Sequence, residues 1–223
     1  MNTSTEYFSK AEEYVCEGKL SKAIEIYESI LKEDPENILA LMKLGNFYYI
    51  LGQVQKAIEK YLKIIEFKPD YVFALYRLGI AYYRSAHFKL AIETFEKINK
   101  EKTELYMAYS WMGLCYYHMG REDKSIECYK KFIKHAPEST VVNYHLAIAS
   151  KARGKYDEAI ENLTLLVNDH PDHVSAFFHL GICYMRIYDI NKAMRMFKRV
   201  LELNPEHKSA SEYYEKISDV API

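Results

Sequence analysis

The chain has 223 residues, of which 49% are apolar and 27% are charged. These fractions exclude an intrinsically disordered chain, which has too few apolar residues to form a core, and a membrane protein built from long apolar segments. The 30 Lys and Arg residues nearly balance the 31 Asp and Glu residues, which argues against a generally basic nucleic-acid binder.

No segment has the features of a targeting or membrane signal. The start of the chain lacks a basic segment followed by an apolar core, and no apolar run approaches the ~18 residues needed to span a bilayer. We therefore expect a cytoplasmic protein.

The four cysteines include no C-x-x-C pair, and we expect them to be small buried apolar residues rather than zinc ligands or disulfide partners.

A 34-residue period runs along almost the whole chain. Small residues recur at one set of positions: Ala11, Gly45, Gly79, Gly113, Ala147 and Gly181. Large residues recur at another: Tyr27, Tyr61, Phe95, Tyr129, Leu163 and Phe197. The period predicts six repeats over residues 4–207, at 4–37, 38–71, 72–105, 106–139, 140–173 and 174–207. Residues 208–218 are predicted to form a C-terminal capping helix, and residues 219–223 a tail.

Each repeat is predicted to contain two helices that pack together. In the second repeat, the i, i+3, i+4, i+7 spacing of one helical face is carried by Leu41, Leu44, Gly45 and Tyr48. Gly52 is expected to end this helix, and Pro69 the helix that follows. Small residues recur where two helix backbones come close, and stacked pairs bury a continuous core that one pair lacks.

This pattern resembles the tetratricopeptide repeat (TPR), which runs W-x2-L-G-x2-Y, then A-x3-F, then P. The second repeat matches it at Leu41, Leu44, Gly45, Tyr48, Ala57, Tyr61 and Pro69. The resemblance implies an all-α fold, a right-handed α-solenoid of antiparallel helix pairs whose first helices line a concave groove. It also implies a non-catalytic scaffold or adaptor that binds a peptide or partner helix in that groove.

The first-helix residues that lie off the packing positions predict the character of the groove. Its aromatic members are Tyr49, Tyr76, Tyr83, Trp111, Tyr117, Tyr144 and Phe178. Its basic members are Lys43, Arg77, Arg84, Lys151 and Arg186, and its histidines are His118, His145 and His179. At these positions the five cations face one carboxylate, Glu12. Because Tyr, Trp and Arg dominate binding hot spots, we predict a protein or peptide partner with acidic and apolar side chains.

Other interpretations of the same residues stay open. Some tyrosines could pack between neighbouring first helices instead of facing a partner. A self-associating scaffold that organises a larger assembly is the main alternative function, since short bacterial TPR proteins serve as assembly platforms. Single-stranded nucleic-acid binding on stacked rings is a weaker one. The acidic residues that precede first helices, such as Glu36 and Asp172, are expected to cap helix N-termini.

Neither an enzyme nor a cofactor-dependent protein is predicted. The chain has no P-loop, no dinucleotide-binding glycine motif and no G-x-S-x-G motif. His118, His145 and His179 could approach one another, although a zinc site there is a weak alternative. We expect instead that protonation of these histidines below pH ~6.5 makes the groove more basic.

Overall fold

The computed structural model describes residues 3–100 and 105–218. Within these ranges there are thirteen α-helices and no strand, so the predicted all-α class is confirmed for the described residues. The helices are α1 Thr3–Cys16, α2 Leu20–Glu33, α3 Ile38–Ile50, α4 Val54–Phe67, α5 Val72–Arg84, α6 Phe88–Lys100, α7 Met107–His118, α8 Glu122–His135, α9 Asn143–Ala152, α10 Tyr156–Asp169, α11 Val174–Arg186, α12 Ile190–Leu203 and α13 Lys208–Ser218. The predicted tail, residues 219–223, lies outside the described residues.

The chain divides into two compact units, Met1–Cys115 and Tyr116–Ile223. In the first unit, α1 packs on α2, α3 on α4 and α5 on α6, and each of these pairs contacts the next. In the second unit, each helix from α8 to α13 packs on its neighbour along the chain. First helices of adjacent pairs also meet, α3 with α5 and α9 with α11. Within each unit, stacking therefore gives every pair a neighbour against which to bury its apolar face.

The recurring glycines are explained by the rings of the second helices. A Cβ atom on Gly45 would lie 2.5 Å from Cε1 of Tyr61, and a Cβ atom on Gly79 would lie 2.6 Å from Cε1 of Phe95. Both rings are fully buried. A side chain at either glycine would collide with the ring that fills its helix pair, because a packed interior leaves no space for one.

The turn inside each helix pair requires a residue in the left-handed conformation. Four glycines fill this position with φ between 66° and 76°, namely Gly18, Gly52, Gly120 and Gly154. Ala86 and Tyr188 occupy the equivalent position at φ 59° and 63°. The turn is therefore the same whether or not the residue is glycine, although only glycine adopts this conformation without a steric penalty.

The N-termini of α3 and α11 are each capped by the residue that directly follows the acidic residue predicted to cap them. The backbone N–H of Ala40 donates to Oδ1 of Asn37 (3.1 Å), and the N–H of Ala176 donates to Nδ1 of His173 (3.2 Å). The prediction that Glu36 and Asp172 cap these helices is wrong, because the side chain one position later reaches the free N–H groups.

The cysteines follow the sequence prediction with one exception. Cys115, Cys128 and Cys183 are buried, as expected of small apolar side chains. Cys16 is exposed, because it is the last residue of α1 and adjoins the exposed turn at Gly18.

Candidate interaction surface

A pocket of about 700 Å³ lies beside α3 and α5 in the first unit. Its charged lining residues are Lys43, Lys68 and Arg77, and no carboxylate of the described residues lines it. Its apolar lining residues are Ile38, Leu39, Met42, Tyr71, Phe73, Tyr76 and Leu105. We call this site the Phe73 pocket. It brings together three of the predicted groove residues, Lys43, Tyr76 and Arg77.

The exposed apolar residues of the Phe73 pocket were not among the predicted groove residues. Phe73 has 65% of its surface exposed and Leu39 has 51%, both large fractions for large apolar side chains. A signal was present, because these residues recur at the 34-residue period with Met107 and Val141, which are also exposed. Isolated apolar residues on a surface are common, but their clustering in a pocket makes this surface a candidate interaction site.

The cations of the Phe73 pocket differ in how far they are already paired. Nζ of Lys43 lies 2.6 Å from Oε1 of Glu12, which also accepts a hydrogen bond from Tyr27. The Lys43 and Tyr27 hydrogen bonds hold the pKa of Glu12 below its usual value, with burial acting the other way. Arg77 is exposed, and no described carboxylate pairs with it. Arg77 is therefore more available than Lys43 to a partner's carboxylate.

A cluster of rings adjoins the Phe73 pocket through Tyr76. Nε1 of Trp111 donates a hydrogen bond to the Tyr76 hydroxyl (3.0 Å), and the Trp111 and Tyr83 ring centroids are 5.2 Å apart, edge to face. All three residues keep part of their surface exposed. We call Tyr76, Tyr83 and Trp111 the Trp111 cluster. Its contacts fix the orientation of three amphipathic side chains before any partner binds.

Two further predicted groove residues of the first unit contact each other. The Arg84 guanidinium lies over the Tyr49 ring, 4.7 Å from its centroid, and Nη1 of Arg84 donates to the Tyr49 carbonyl (3.2 Å). This cation–π contact holds the exposed Arg84 side chain in place while leaving its charge near the surface.

In the second unit, the predicted groove residues form a histidine-rich group around Tyr144. The Tyr144 ring centroid lies 5.7 Å from that of His145, 5.3 Å from His173 and 5.9 Å from His179. His173, which directly precedes α11, was not among the predicted groove residues. No group of three or more His, Cys, Asp or Glu side chains able to hold a metal ion occurs among the described residues.

Lys151 and His179 bind each other in this group. Nζ of Lys151 lies 3.1 Å from Nδ1 of His179, so the ammonium donates to the neutral imidazole. Burial, the Lys151 charge and the nearby His173 lower the pKa of His179 to about 4. Burial also lowers the pKa of His145, and His118 adds to that effect. The prediction that His179 becomes charged just below pH ~6.5 is therefore wrong.

This depressed pKa predicts that acid destabilises the second unit. The unfolded chain binds a proton at His179 near pH ~6.5, whereas the folded chain does so only near pH 4, so stability falls as the pH drops through that window. After a discount of about half for partial solvent exposure, we expect a loss of about 1.5 kcal/mol. Urea unfolding near pH ~7.5 and pH ~4.5 measures it.

The control for this prediction replaces the titrating group. His179→Gln is expected to lose less stability between the two pH values than the wild type, whereas exposed His170→Gln is expected to behave like the wild type. An equal loss in the wild type and in His179→Gln would contradict the assignment to His179.

The remaining predicted residues of the second unit are Tyr117, His118 and Phe178, which interact with residues of the histidine-rich group, and Arg186. The Tyr117 ring contacts that of its neighbour His118, at a centroid distance of 5.9 Å. The Phe178 ring contacts His179 and His207, with its centroid 4.9 Å from that of His207. Arg186 lines a separate pocket of about 360 Å³. The predicted residues thus fall into several local groups within the two units.

Family models of the tetratricopeptide repeat match four stretches of the chain. A TPR-repeat model matches residues 45–85, and tetratricopeptide-repeat models match residues 73–101, 106–139 and 151–215. The chain belongs to the tetratricopeptide-repeat family. The resemblance in the sequence is therefore confirmed, and the TPR fold is typical of protein-binding scaffolds.

Solved structures with the same architecture cover most of this TPR chain. YrrB, described as a TPR protein with an unusual peptide-binding site, is 18% identical with a TM-score of 0.74, over 85% of this chain and 97% of that chain. PilF of Pseudomonas aeruginosa is 15% identical with a TM-score of 0.75, over 97% of both chains. A MamA protein is 26% identical with a TM-score of 0.57, over 93% of this chain and 94% of that chain. The predicted right-handed solenoid of helix pairs is confirmed.

No curated protein sequence matches this TPR chain. Across residues 3–100 and 105–218, none of its helices combines the length and apolar character that crossing a membrane would require. The cytoplasmic location stays a prediction.

Proposed function

We propose that this TPR chain is a non-catalytic adaptor whose Phe73 pocket binds a protein segment carrying acidic and apolar side chains. The observation that carries the proposal is the exposure of Phe73 and Leu39 in a pocket lined by three cations. Water around such apolar side chains is released when a partner covers them, and this release favours association.

The shape of the Phe73 pocket suits a short segment of a partner. Its volume of about 700 Å³ lies within the range of sites that enclose a small ligand or a few side chains. Met42 and Tyr76 line the pocket and are more buried than Phe73 and Leu39, so we assign them to an apolar floor. An apolar side chain of the partner would pack on this floor, and the residues next to it in the partner segment would lie along the rim of the pocket.

The charge of the Phe73 pocket favours an acidic segment. Arg77 has no carboxylate partner among the described residues, and Lys68 lies over the Tyr71 ring, 5.4 Å from its centroid. A carboxylate placed next to the partner's apolar side chain would reach Arg77 at the rim. Such rim pairs contribute mainly to specificity and to the rate of association.

The Trp111 cluster extends this surface. Tyr76 belongs to both the pocket and the cluster, so a segment that leaves the pocket along Tyr76 meets Trp111 and Tyr83. Rings held in place before binding lose little conformational entropy when a partner covers them. YrrB, which has the same fold, is described as having a peptide-binding site, and this similarity supports the same general role here.

We propose a different contribution from the second unit. Lys151 and His179 bind each other and His179 is neutral, so this region offers contact area more than positive charge. Its exposed area comes from partly exposed rings such as Tyr144 and Phe178.

Peptide-display selection against the immobilised wild-type chain tests this function. The matched variants are Phe73→Ser and Val141→Ser, which change residues of similar exposure, 65% and 63%, at the same position of two repeats. We expect wild type and Val141→Ser to enrich peptides that combine acidic and apolar residues, and Phe73→Ser to lose that enrichment. Equal enrichment by all three proteins, or a consensus without acidic residues, would contradict the proposal.

A further inference from the structure

Tyr188 occupies a backbone position at which a tyrosine is disfavoured. Its φ is 63°, and its N–H donates to the Met185 carbonyl (3.1 Å) just as the N–H of Gly52 donates to the Tyr49 carbonyl (3.1 Å) in the equivalent turn. Four of the six equivalent turns have glycine, because a Cβ atom raises the energy of the left-handed conformation.

The fold does not compensate Tyr188 for this conformation. The side chain is 87% exposed, so it buries little apolar area in its own chain. Strained backbone conformations cluster at active sites and ligand-binding sites, where the side chain they present serves the function. Tyr188 therefore has the features of a contact residue kept at some expense of stability.

Tyr188 forms one wall of the 360 Å³ pocket of the second unit. The other lining residues are Tyr156, Ile182, Met185, Arg186 and Tyr213. The Tyr213 ring is fixed by parallel stacking on the buried Phe197, with a centroid distance of 5.3 Å and an interplanar angle of 9°. Ile182 and Met185 pack on the same core, so the pocket has a rigid apolar floor.

The charge of this pocket comes from Arg186. No described carboxylate lines the pocket or pairs with Arg186, which is exposed. The nearest acidic residue in sequence, Asp189, is bound by Lys192, with Oδ2 and Nζ 2.8 Å apart. The pocket is thus apolar at its floor and positive at its rim, and it accommodates one large apolar side chain with an adjacent carboxylate.

We propose that this Tyr188 pocket is a second peptide-binding site, which takes an aromatic or branched apolar residue of a partner protein followed by an acidic residue. The apolar side chain packs on Ile182 and Met185 between the rings of Tyr188 and Tyr213. The acidic side chain pairs with Arg186. The site lies wholly in the second unit and does not depend on the function proposed for the Phe73 pocket.

A capped dipeptide tests the chemistry of this pocket. Acetyl-Phe-Glu-amide is titrated into the full chain while the methyl signals of Ile182 and Met185 are followed by NMR. We expect saturable shifts of both signals, and binding of acetyl-Phe-Gln-amide that is weaker by about threefold to tenfold because it lacks the carboxylate. Unchanged methyl signals, or equal binding of the two dipeptides, would overturn the proposal.

Tyr188→Gly separates a binding role from a structural one, and Ala86→Gly is its matched control. Both variants place glycine at a position in the left-handed conformation, at φ 63° and 59°. Because this removes the steric strain of a Cβ atom, both should raise Tm by about 2–4 °C. Only Tyr188→Gly should weaken acetyl-Phe-Glu-amide binding, by about tenfold. Wild-type affinity in Tyr188→Gly, or a lower Tm in that variant, would overturn the proposal.

Discussion

Phe95→Ala is expected to lower the free energy of unfolding by about 3–5 kcal/mol, the largest effect of any substitution considered. Phe95 is fully buried, and its ring fills the space that Gly79 leaves between α5 and α6. Its removal loses the transfer free energy of the ring and leaves a cavity that the rigid helix pair cannot fill. Urea unfolding followed by circular dichroism measures the loss.

The control for Phe95→Ala is Phe73→Ala, the same substitution at a residue that is 65% exposed. It should change the free energy of unfolding by no more than about 0.5 kcal/mol. A similar loss in the two variants would contradict the assignment of Phe95 to the core and Phe73 to the binding surface.

Arg77→Glu is expected to weaken binding of an acidic peptide by about 30-fold, or about 2 kcal/mol. The substitution removes an exposed pocket cation that has no described carboxylate partner, and it places a like charge against the partner's carboxylate. Fluorescence anisotropy with a labelled peptide enriched in the display selection measures the change.

Salt dependence and a matched charge reversal distinguish this effect from a general change in net charge. Lys63→Glu, an exposed site on α4 away from the pocket, makes the same change in net charge and should leave affinity within about twofold of the wild type. The difference between Arg77→Glu and wild type should shrink as salt is added. Equal losses of affinity in Arg77→Glu and Lys63→Glu would show that the peptide's carboxylate does not bind at Arg77.

The fold was predictable because its determinants repeat. The small residue and the ring that packs on it, such as Gly45 and Tyr61 or Gly79 and Phe95, have the same spacing in the sequence from one repeat to the next. The same steric contact therefore recurs along the chain. The contact that explains the period, a ring against a helix backbone, is local to one helix pair. Periodicity alone locates these positions, although it predicted two close helix backbones where the structure places a ring against each of these glycines.

The candidate surface was only partly predictable, because its properties depend on contacts between repeats. The pairing of Lys43 with Glu12 joins residues 31 positions apart, and it fixes which of the five predicted cations is neutralised by that carboxylate. The low pKa of His179 arises from burial and from Lys151, 28 positions away. Side-chain type alone carries no information on either effect.

Phe73 and Tyr188 show two further limits of sequence reasoning. Phe73 sits at the start of a helix, where an apolar residue can face the core or the solvent, and only the packing of α5 decides which. Tyr188 replaces a turn glycine in the 34-residue period, but its left-handed conformation and its 87% exposure are visible only in the structure. Tyr188 departs from the glycine pattern of the turns, and such departures are expected at functional positions.

Isothermal titration of the most enriched acidic peptide into wild type, Phe73→Ser and Val141→Ser tests most directly whether the Phe73 pocket is the binding site. We predict that Phe73→Ser binds about tenfold or more weakly than wild type, and that Val141→Ser binds within about twofold of it. Wild-type affinity in Phe73→Ser would contradict the account and move the binding surface away from α3 and α5.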